Sequence, residues 1–167
     1  MRKSFKNIII SSLSLILFLV ANWNIYGQDI SPKDVVNIKV NTDKLLNKNE
    51  VIDLNIILSI KDGWHLNANK PLDDYLTPTV VSIKDTSNIH IISEEYPAPS
   101  FVKLKFSQSQ LALYENEAQI NFKLKTKKSF KGSELKLEGE VQYQPCNDQT
   151  CLFPVSKPFS IELHFKK

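Results

Sequence analysis

Residues 135–143, Leu-Lys-Leu-Glu-Gly-Glu-Val-Gln-Tyr, alternate apolar or small residues with charged or polar ones. The period of two places the leucines, the valine and Tyr143 on one face of an extended strand. Gly139 falls on the same face, where we expect a bulge or a close approach between neighbouring chains. The stretch predicts a half-buried β-strand.

The same alternation recurs through the chain. It is clean at 118–124 and 159–165, and it marks the β-branched run 51–60, where we place Val51 on the apolar face and the pattern slips near Ile52. Shorter strand candidates lie at 35–40, 79–83 and 89–92. No window keeps a helical period of 3.6, so the sequence predicts an all-β protein.

About seven short strands separated by turn-forming residues are typical of an immunoglobulin-like antiparallel β-sandwich. There is no internal repeat and no low-complexity linker in the 167 residues, which favours a single domain. The segment 96–109 is less regular. Pro97 and Pro99 exclude a central strand there, and we interpret the segment as a long loop.

Residues 1–27 carry the pattern of an export signal. Three basic residues precede an apolar stretch, 8–21, which three serines interrupt and which is short for a membrane-spanning helix. Gly27 is a plausible cleavage edge, and no cysteine lies near it to carry a lipid. We therefore expect cleavage, a periplasmic mature domain at 28–167 and no stable membrane anchor, with an uncleaved N-terminal anchor as the alternative.

The net charge of +3 belongs to this signal. Removing 1–27 removes three basic residues and no acidic ones, which leaves 18 of each sign. A basic surface for nucleic acid is therefore not expected. With 42% hydrophobic residues, four glycines and two cysteines, the composition also excludes a disordered chain, a collagen-like chain and a disulfide-dense scaffold.

Cys146 and Cys151 are the only cysteines, and four residues separate them. Asn147-Asp148 favours a tight turn between them, and an exported protein with two cysteines normally oxidises them to a disulfide. In the chain-entropy model a loop of about six residues contributes only about 2 kcal/mol of stability, which suits a bond that opens and closes. A purely structural disulfide in a secreted binding module remains open at this point.

Metal binding by the two thiolates is a third interpretation, that of a periplasmic copper or zinc carrier. His65 or His164 could add a ligand, but neither has the spacing of a known metal motif. We predict no metal and no cofactor. Hydrolase and phosphate-binding motifs are absent from the sequence.

Three stretches together resemble a known family. The run 141–163, VQYQPCNDQTCLFPVSKPFSIEL, is similar to the cysteine hairpin and last strand of the N-terminal periplasmic domain of the thiol:disulfide interchange protein DsbD. The segments 60–67, IKDGWHLN, and 96–114 resemble the strand end and the cap-loop region of that family. The resemblance spans roughly 34–163.

This resemblance implies an immunoglobulin-like domain that shuttles reducing equivalents. They would come from the thioredoxin-like domain of a membrane thiol reductase and pass to exported disulfide isomerases or cytochrome c maturation proteins. Any activity would be thiol:disulfide interchange of the protein-disulfide reductase type. By the resemblance Cys151 forms the mixed disulfide, Cys146 resolves it, and a cap aromatic shields the pair, with Phe106 as first candidate and Phe101 as alternative.

The sequence departs from the best-known members in three ways. Four residues rather than five separate the cysteines, and His65 and Asn67 stand where those members carry tyrosines beside the pair. The membrane and thioredoxin-like segments are missing from the sequence, so we expect the reductase to be a separate chain. Within the loop, Asp148 is the only charged residue. Unless His65 or Lys157 folds close, we expect the reduced pair to be mostly thiol at neutral pH.

Overall fold

The structure is a computed structural model that describes residues 30–43 and 45–166. The predicted signal 1–27 lies outside the described residues. Within them the chain forms a short 3₁₀ turn, Pro32–Asp34, and eleven β-strands, without an α-helix. The strands are β1 (Val36–Asn41), β2 (Val51–Ile60), β3 (His65–Asn67), β4 (Val80–Ile83), β5 (Ile89–Glu95), β6 (Ser100–Val102), β7 (Leu111–Glu115), β8 (Glu117–Thr126), β9 (Glu134–Tyr143), β10 (Pro145–Cys146) and β11 (Val155–His164).

The strands form three antiparallel sheets. The first has the order β1-β2-β8-β5, and the second, smaller sheet has the order β11-β9-β4. The third has the order β10-β3-β7-β6. An all-β chain of antiparallel sheets, consistent with an immunoglobulin-like sandwich, is what the alternating stretches predict.

One large core joins the first two sheets and also includes Leu66, Ala112 and Tyr114 of the third. Its buried apolar side chains from β2 and β8 are Ile52, Leu54, Ile56, Leu58, Ile60, Ala118, Ile120, Phe122 and Leu124. Those from β9 and β11 are Leu137, Val141, Tyr143, Phe159 and Leu163. The period of two in each ten-residue strand therefore buries one face and leaves the other to solvent.

A second, smaller apolar cluster lies on the third sheet. It contains Leu76, Leu104, Leu111, Leu113 and Cys146, and Cys151 packs against it. The two cysteines are thus held apart from the main core. They share their cluster with the residues around β6 and β7.

Two details of the sequence interpretation are wrong. Val51 is 53% exposed, and the buried face of β2 begins at Ile52, so the alternation runs through the strand without a slip. The segment 96–109 is not entirely loop, because β6 lies inside it. Since β6 pairs only with β7, it is an edge strand, a position that tolerates nearby prolines.

Gly139 marks a close approach, as its position on the apolar face indicates. It lies in β9 directly between Phe159 of β11 and Ile83 of β4. A β-carbon there would overlap the Phe159 ring and the carbonyl oxygen of Ser82. The oxygen belongs to the backbone and cannot move away without displacing β4.

We therefore expect Gly139→Ala to lower the free energy of unfolding by about 1–3 kcal/mol, the usual cost of overpacking. Urea denaturation measures this change. Ser160→Ala, at an exposed position of β11, is the control and should change stability by less than about 0.5 kcal/mol. Equal stability of the two variants would contradict the close approach.

Candidate functional site

Cys146 and Cys151 are joined by a disulfide with a sulfur–sulfur distance of 2.05 Å. The side chain of Asn147 builds the turn between them, since its Oδ1 accepts hydrogen bonds from the backbone N–H groups of Gln149 and Thr150, both at 2.9 Å. The N–H of Asn147 also donates to the carbonyl of Thr150 at 2.8 Å. The sequence predicts a tight turn at Asn147-Asp148, and the structure shows that the Asn147 side chain forms it.

The two sulfur-bearing residues differ in exposure. Cys146 ends β10 and is 0% exposed, whereas Cys151 is only partly buried and lines a cleft of about 550 Å³. A thiolate must reach a sulfur along an open path to attack it. Only Cys151 offers such a path in the oxidised protein.

Phe106 lines the same cleft, together with Tyr75 and Leu76. It belongs to the loop 103–110 between β6 and β7, which we call the cap loop, and it is 44% exposed. Phe101 is on β6, is 59% exposed and is not among the residues that line the cleft. The structure thus brings Phe106, and not Phe101, to the cleft of Cys151.

A hydrogen-bonded network lies behind the cysteine hairpin. Asn67 is 0% exposed, and its Nδ2 donates to the carbonyl of Thr77 and to Oε1 of Gln144, both at 3.1 Å. Gln144 in turn donates from Nε2 to the carbonyl of Leu152 at 3.2 Å. Asn67 therefore supports the hairpin from the interior of the domain, and it has no exposed surface that a partner protein could contact.

Gln144 is a site residue that the sequence interpretation missed. It lines the cleft and bridges the residues before and after the disulfide. The only sequence feature that pointed to a role for Gln144 in the site is its position two residues before Cys146. Nothing in its residue type indicates that both ends of its amide are used.

His65 lies in β3 directly opposite Cys146 of β10, and opposite Glu115 of β7 on its other side. Its Nδ1 is 3.0 Å from Oε1 of Glu115, at an angle outside hydrogen-bond geometry. The structure thus brings His65 beside the pair, while Lys157 lies elsewhere and donates to the carbonyls of Lys33 and Val36 at 3.0 and 2.6 Å.

Asp148 connects the hairpin to the cap loop. Its Oδ2 is 2.8 Å from Nζ of Lys105, the residue before Phe106. The hydrogen bond and the charge of Lys105 hold the pKa of the Asp148 carboxyl below its usual value, and the same contact raises the pKa of Lys105. Both groups are therefore charged at neutral pH, and the ion pair spans the gap between the two loops.

No cluster of three or more metal-binding side chains (His, Cys, Asp or Glu) occurs within residues 30–43 and 45–166. In the same part of the chain no helix has the length and apolar character needed to cross a membrane.

A profile of the family described as "Thiol:disulfide interchange protein DsbD, N-terminal" matches residues 30–163. No curated protein matches the chain significantly. The N-terminal periplasmic domain of ScsB from Proteus mirabilis is similar in structure, with a TM-score of 0.54 at 15% sequence identity. That alignment covers 81% of this chain and 49% of the other, so the chain spans about half the length of the ScsB structure.

AggA, the major subunit of aggregative adherence fimbriae type I from Escherichia coli, aligns over 78% of this chain and 95% of its own, with a TM-score of 0.35 at 8% identity. The ScsB likeness establishes the fold. The profile covers the cysteine hairpin, the cap loop and all eleven strands except His164, the last residue of β11. The chain belongs to the family of the N-terminal domain of the thiol:disulfide interchange protein DsbD.

Proposed function

We propose that the protein is a periplasmic thiol–disulfide exchange domain in which Cys146 and Cys151 carry two electrons between other thiol proteins. The observation that carries the proposal is the difference in exposure between the two cysteines. Cys151 faces an open cleft, and Cys146 is sealed behind it. A disulfide that only stabilised the fold would need neither the cleft nor the aromatic residue beside it.

The exchange takes place in two steps through a mixed disulfide. A thiolate of a reduced partner attacks Sγ of Cys151, the Cys146–Cys151 bond breaks, and Cys146 leaves as a thiolate that takes up a proton. The partner's second thiolate then attacks the partner sulfur of the mixed disulfide, and Cys151 leaves as a thiolate that takes up a proton. The partner is oxidised by two electrons, and the pair becomes two thiols that reduce the next protein by the reverse steps.

Family membership supports thioredoxin-like partners in general. We assign the donor to the thioredoxin-like domain of a membrane thiol reductase, and the acceptors to exported disulfide isomerases or cytochrome c maturation proteins. The periplasmic location rests on the family and on the export signal predicted at 1–27. Cap-loop residue Phe106 would restrict access to Cys151 until a partner docks.

The reduction potential of the pair tests this proposal. An exchange-active pair should lie between about −270 and about −180 mV, whereas a structural disulfide lies below about −300 mV. Equilibration with glutathione or dithiothreitol, followed by separation of the oxidised and reduced forms, gives the value. A potential below that limit would leave the binding-module interpretation. A potential that shifts with added copper or zinc would favour the carrier.

The shielding role of Phe106 makes a separate prediction. Phe106→Ala should raise the rate at which the reduced protein reacts with oxidised glutathione, because it opens the path to Cys151. Phe101→Ala is a matched control, since Phe101 is also an exposed phenylalanine but is not among the residues that line the cleft. Stopped-flow kinetics measure both rates. An unchanged rate for Phe106→Ala would refute the cap assignment.

A further inference from the structure

Three chemically reactive side chains stand in one row across the third sheet. Cys146 of β10 pairs with His65 of β3, and His65 pairs with Glu115 of β7. Residues directly opposite each other on antiparallel strands project to the same face, with β-carbons about 4.5–5.5 Å apart. The row thus places a carboxylate, an imidazole and a sulfur side by side.

The environment of the row favours proton transfer. The side chains of His65 and Glu115 are 16% and 33% exposed, and Nδ1 of His65 is sealed from solvent 3.0 Å from the carboxylate. A carboxylate at Nδ1 stabilises the imidazolium and leaves Nε2 as the nitrogen that exchanges a proton. His65 also lines a second opening, with Gly63 and Asn147, through which water can return the proton.

We propose that His65, positioned by Glu115, donates a proton to Sγ of Cys146 when the disulfide is reduced and takes it back when the pair is reoxidised. The proposal rests on the exchange function above. It adds a group that handles the proton of the buried cysteine. Cys146 is 0% exposed, so solvent cannot perform this step directly.

When a partner's thiolate attacks Cys151, the departing Cys146 thiolate receives the proton from imidazolium Nε2, and the neutral imidazole regains one from water. In the reverse direction neutral His65 removes the proton of the Cys146 thiol. The resulting thiolate attacks Sγ of Cys151 in the mixed disulfide and releases the partner as a thiolate.

Other charges near the imidazole come from two elements. Asp148 lies in the hairpin loop, Lys105 lies in the cap loop, and both line the opening that contains His65. They pair with each other at 2.8 Å, and Asp148 is also within Coulombic range of His65. Glu115 is the carboxylate in contact with the ring, with Oε1 3.0 Å from Nδ1.

The chain offers a matched control for a histidine–glutamate pair. His164 of β11 lies directly opposite Glu134 of β9, with Nδ1 3.7 Å from Oε1. These side chains are 49% and 76% exposed. They lie in the second sheet, whereas Cys146 lies in the third. Loss of this second imidazole tests whether any His–Glu pair affects the reaction.

The test is reduction of the oxidised full domain by dithiothreitol between about pH 5.5 and about pH 8.5, with acid quenching and mass analysis of the two forms. Each rate is divided by the thiolate fraction of dithiothreitol. In the wild type this rate constant should fall by about tenfold through one ionisation as imidazolium loses its proton. This is below the usual gain from general acid catalysis, because a thiolate is already a fair leaving group.

His65→Gln should lose the step and react at the low rate throughout. His65→Tyr, the second variant, should also show no step, because a phenol does not ionise in this range. Glu115→Gln should reduce the size of the step, because the ring loses the carboxylate that lies against Nδ1. His164→Gln should behave as the wild type. A step that survives in a folded His65 variant, or disappears in His164→Gln, would overturn the inference.

Failure of this inference can be separated from failure of the proposed function. If the wild type exchanges with a thioredoxin-like dithiol protein but its profile has no step, only the role of His65 is wrong. If the wild type does not exchange with that protein, the proposed function is wrong, and the inference fails with it.

Discussion

Cys151→Ala should abolish exchange with thioredoxin-like proteins, whereas Cys146→Ala should accumulate a mixed disulfide with them. In the first variant the remaining thiol is that of Cys146, which is 0% exposed and has no open path to a partner. In the second variant Cys151 keeps its place in the cleft, but the thiol that would release the partner is gone. Non-reducing electrophoresis with an oxidised thioredoxin-like protein measures the adduct.

The two variants are controls for each other. Both lose the same disulfide, which closes a short loop and contributes about 2 kcal/mol, and Cys146→Ala also removes a buried sulfur from the smaller apolar cluster. Adduct formation is therefore compared under conditions where circular dichroism shows both variants folded, so that a difference reports on position and not on stability. Equal amounts of adduct from the two variants would contradict the assignment of Cys151 as the attacked residue.

Phe122→Ala should lower the free energy of unfolding by about 3–5 kcal/mol, the range for truncation of a large core aromatic. Phe122 lies in β8, the strand that pairs with both β2 and β5, and it is 1% exposed. Its removal leaves a cavity at the centre of the main core. Chemical denaturation followed by circular dichroism gives the change.

Phe153→Ala is the matched control for this prediction. Phe153 follows the disulfide closely in sequence and is 88% exposed, so its truncation should change stability by no more than about 0.5 kcal/mol. Similar losses in the two variants would mean that Phe122 is not the packing centre that its burial indicates.

The long strands could be predicted because each has one buried face. In β8 and β9 the apolar residues alternate over most of ten positions, and the sequence pattern shows this directly. The strands of the third sheet could not be found in this way. Residues 111–114 of β7 are all buried, so no alternation exists, and β3 is only three residues long.

Part of the site was predictable for chemical reasons and part was not. The disulfide and its turn follow from Cys146, Cys151 and Asn147, whose residue types have few other roles at this spacing. Glu115 and Lys105 carry no such signal. Their partners, His65 and Asp148, are 50 and 43 positions distant and become neighbours only through the strand register and the cap loop.

The arrangement of the third sheet separates opening of the site from unfolding of the domain. The cap loop follows β6, which is bound to β7 alone through three residue pairs, Ser100–Leu113, Phe101–Ala112 and Val102–Leu111. Release of this edge would leave every strand of the main core paired. Opening of this edge can therefore widen the cleft of Cys151 locally, at the cost of exposing Leu104 of the cap loop, while the main core stays folded. Mutations in the edge can change how often this happens without unfolding the domain.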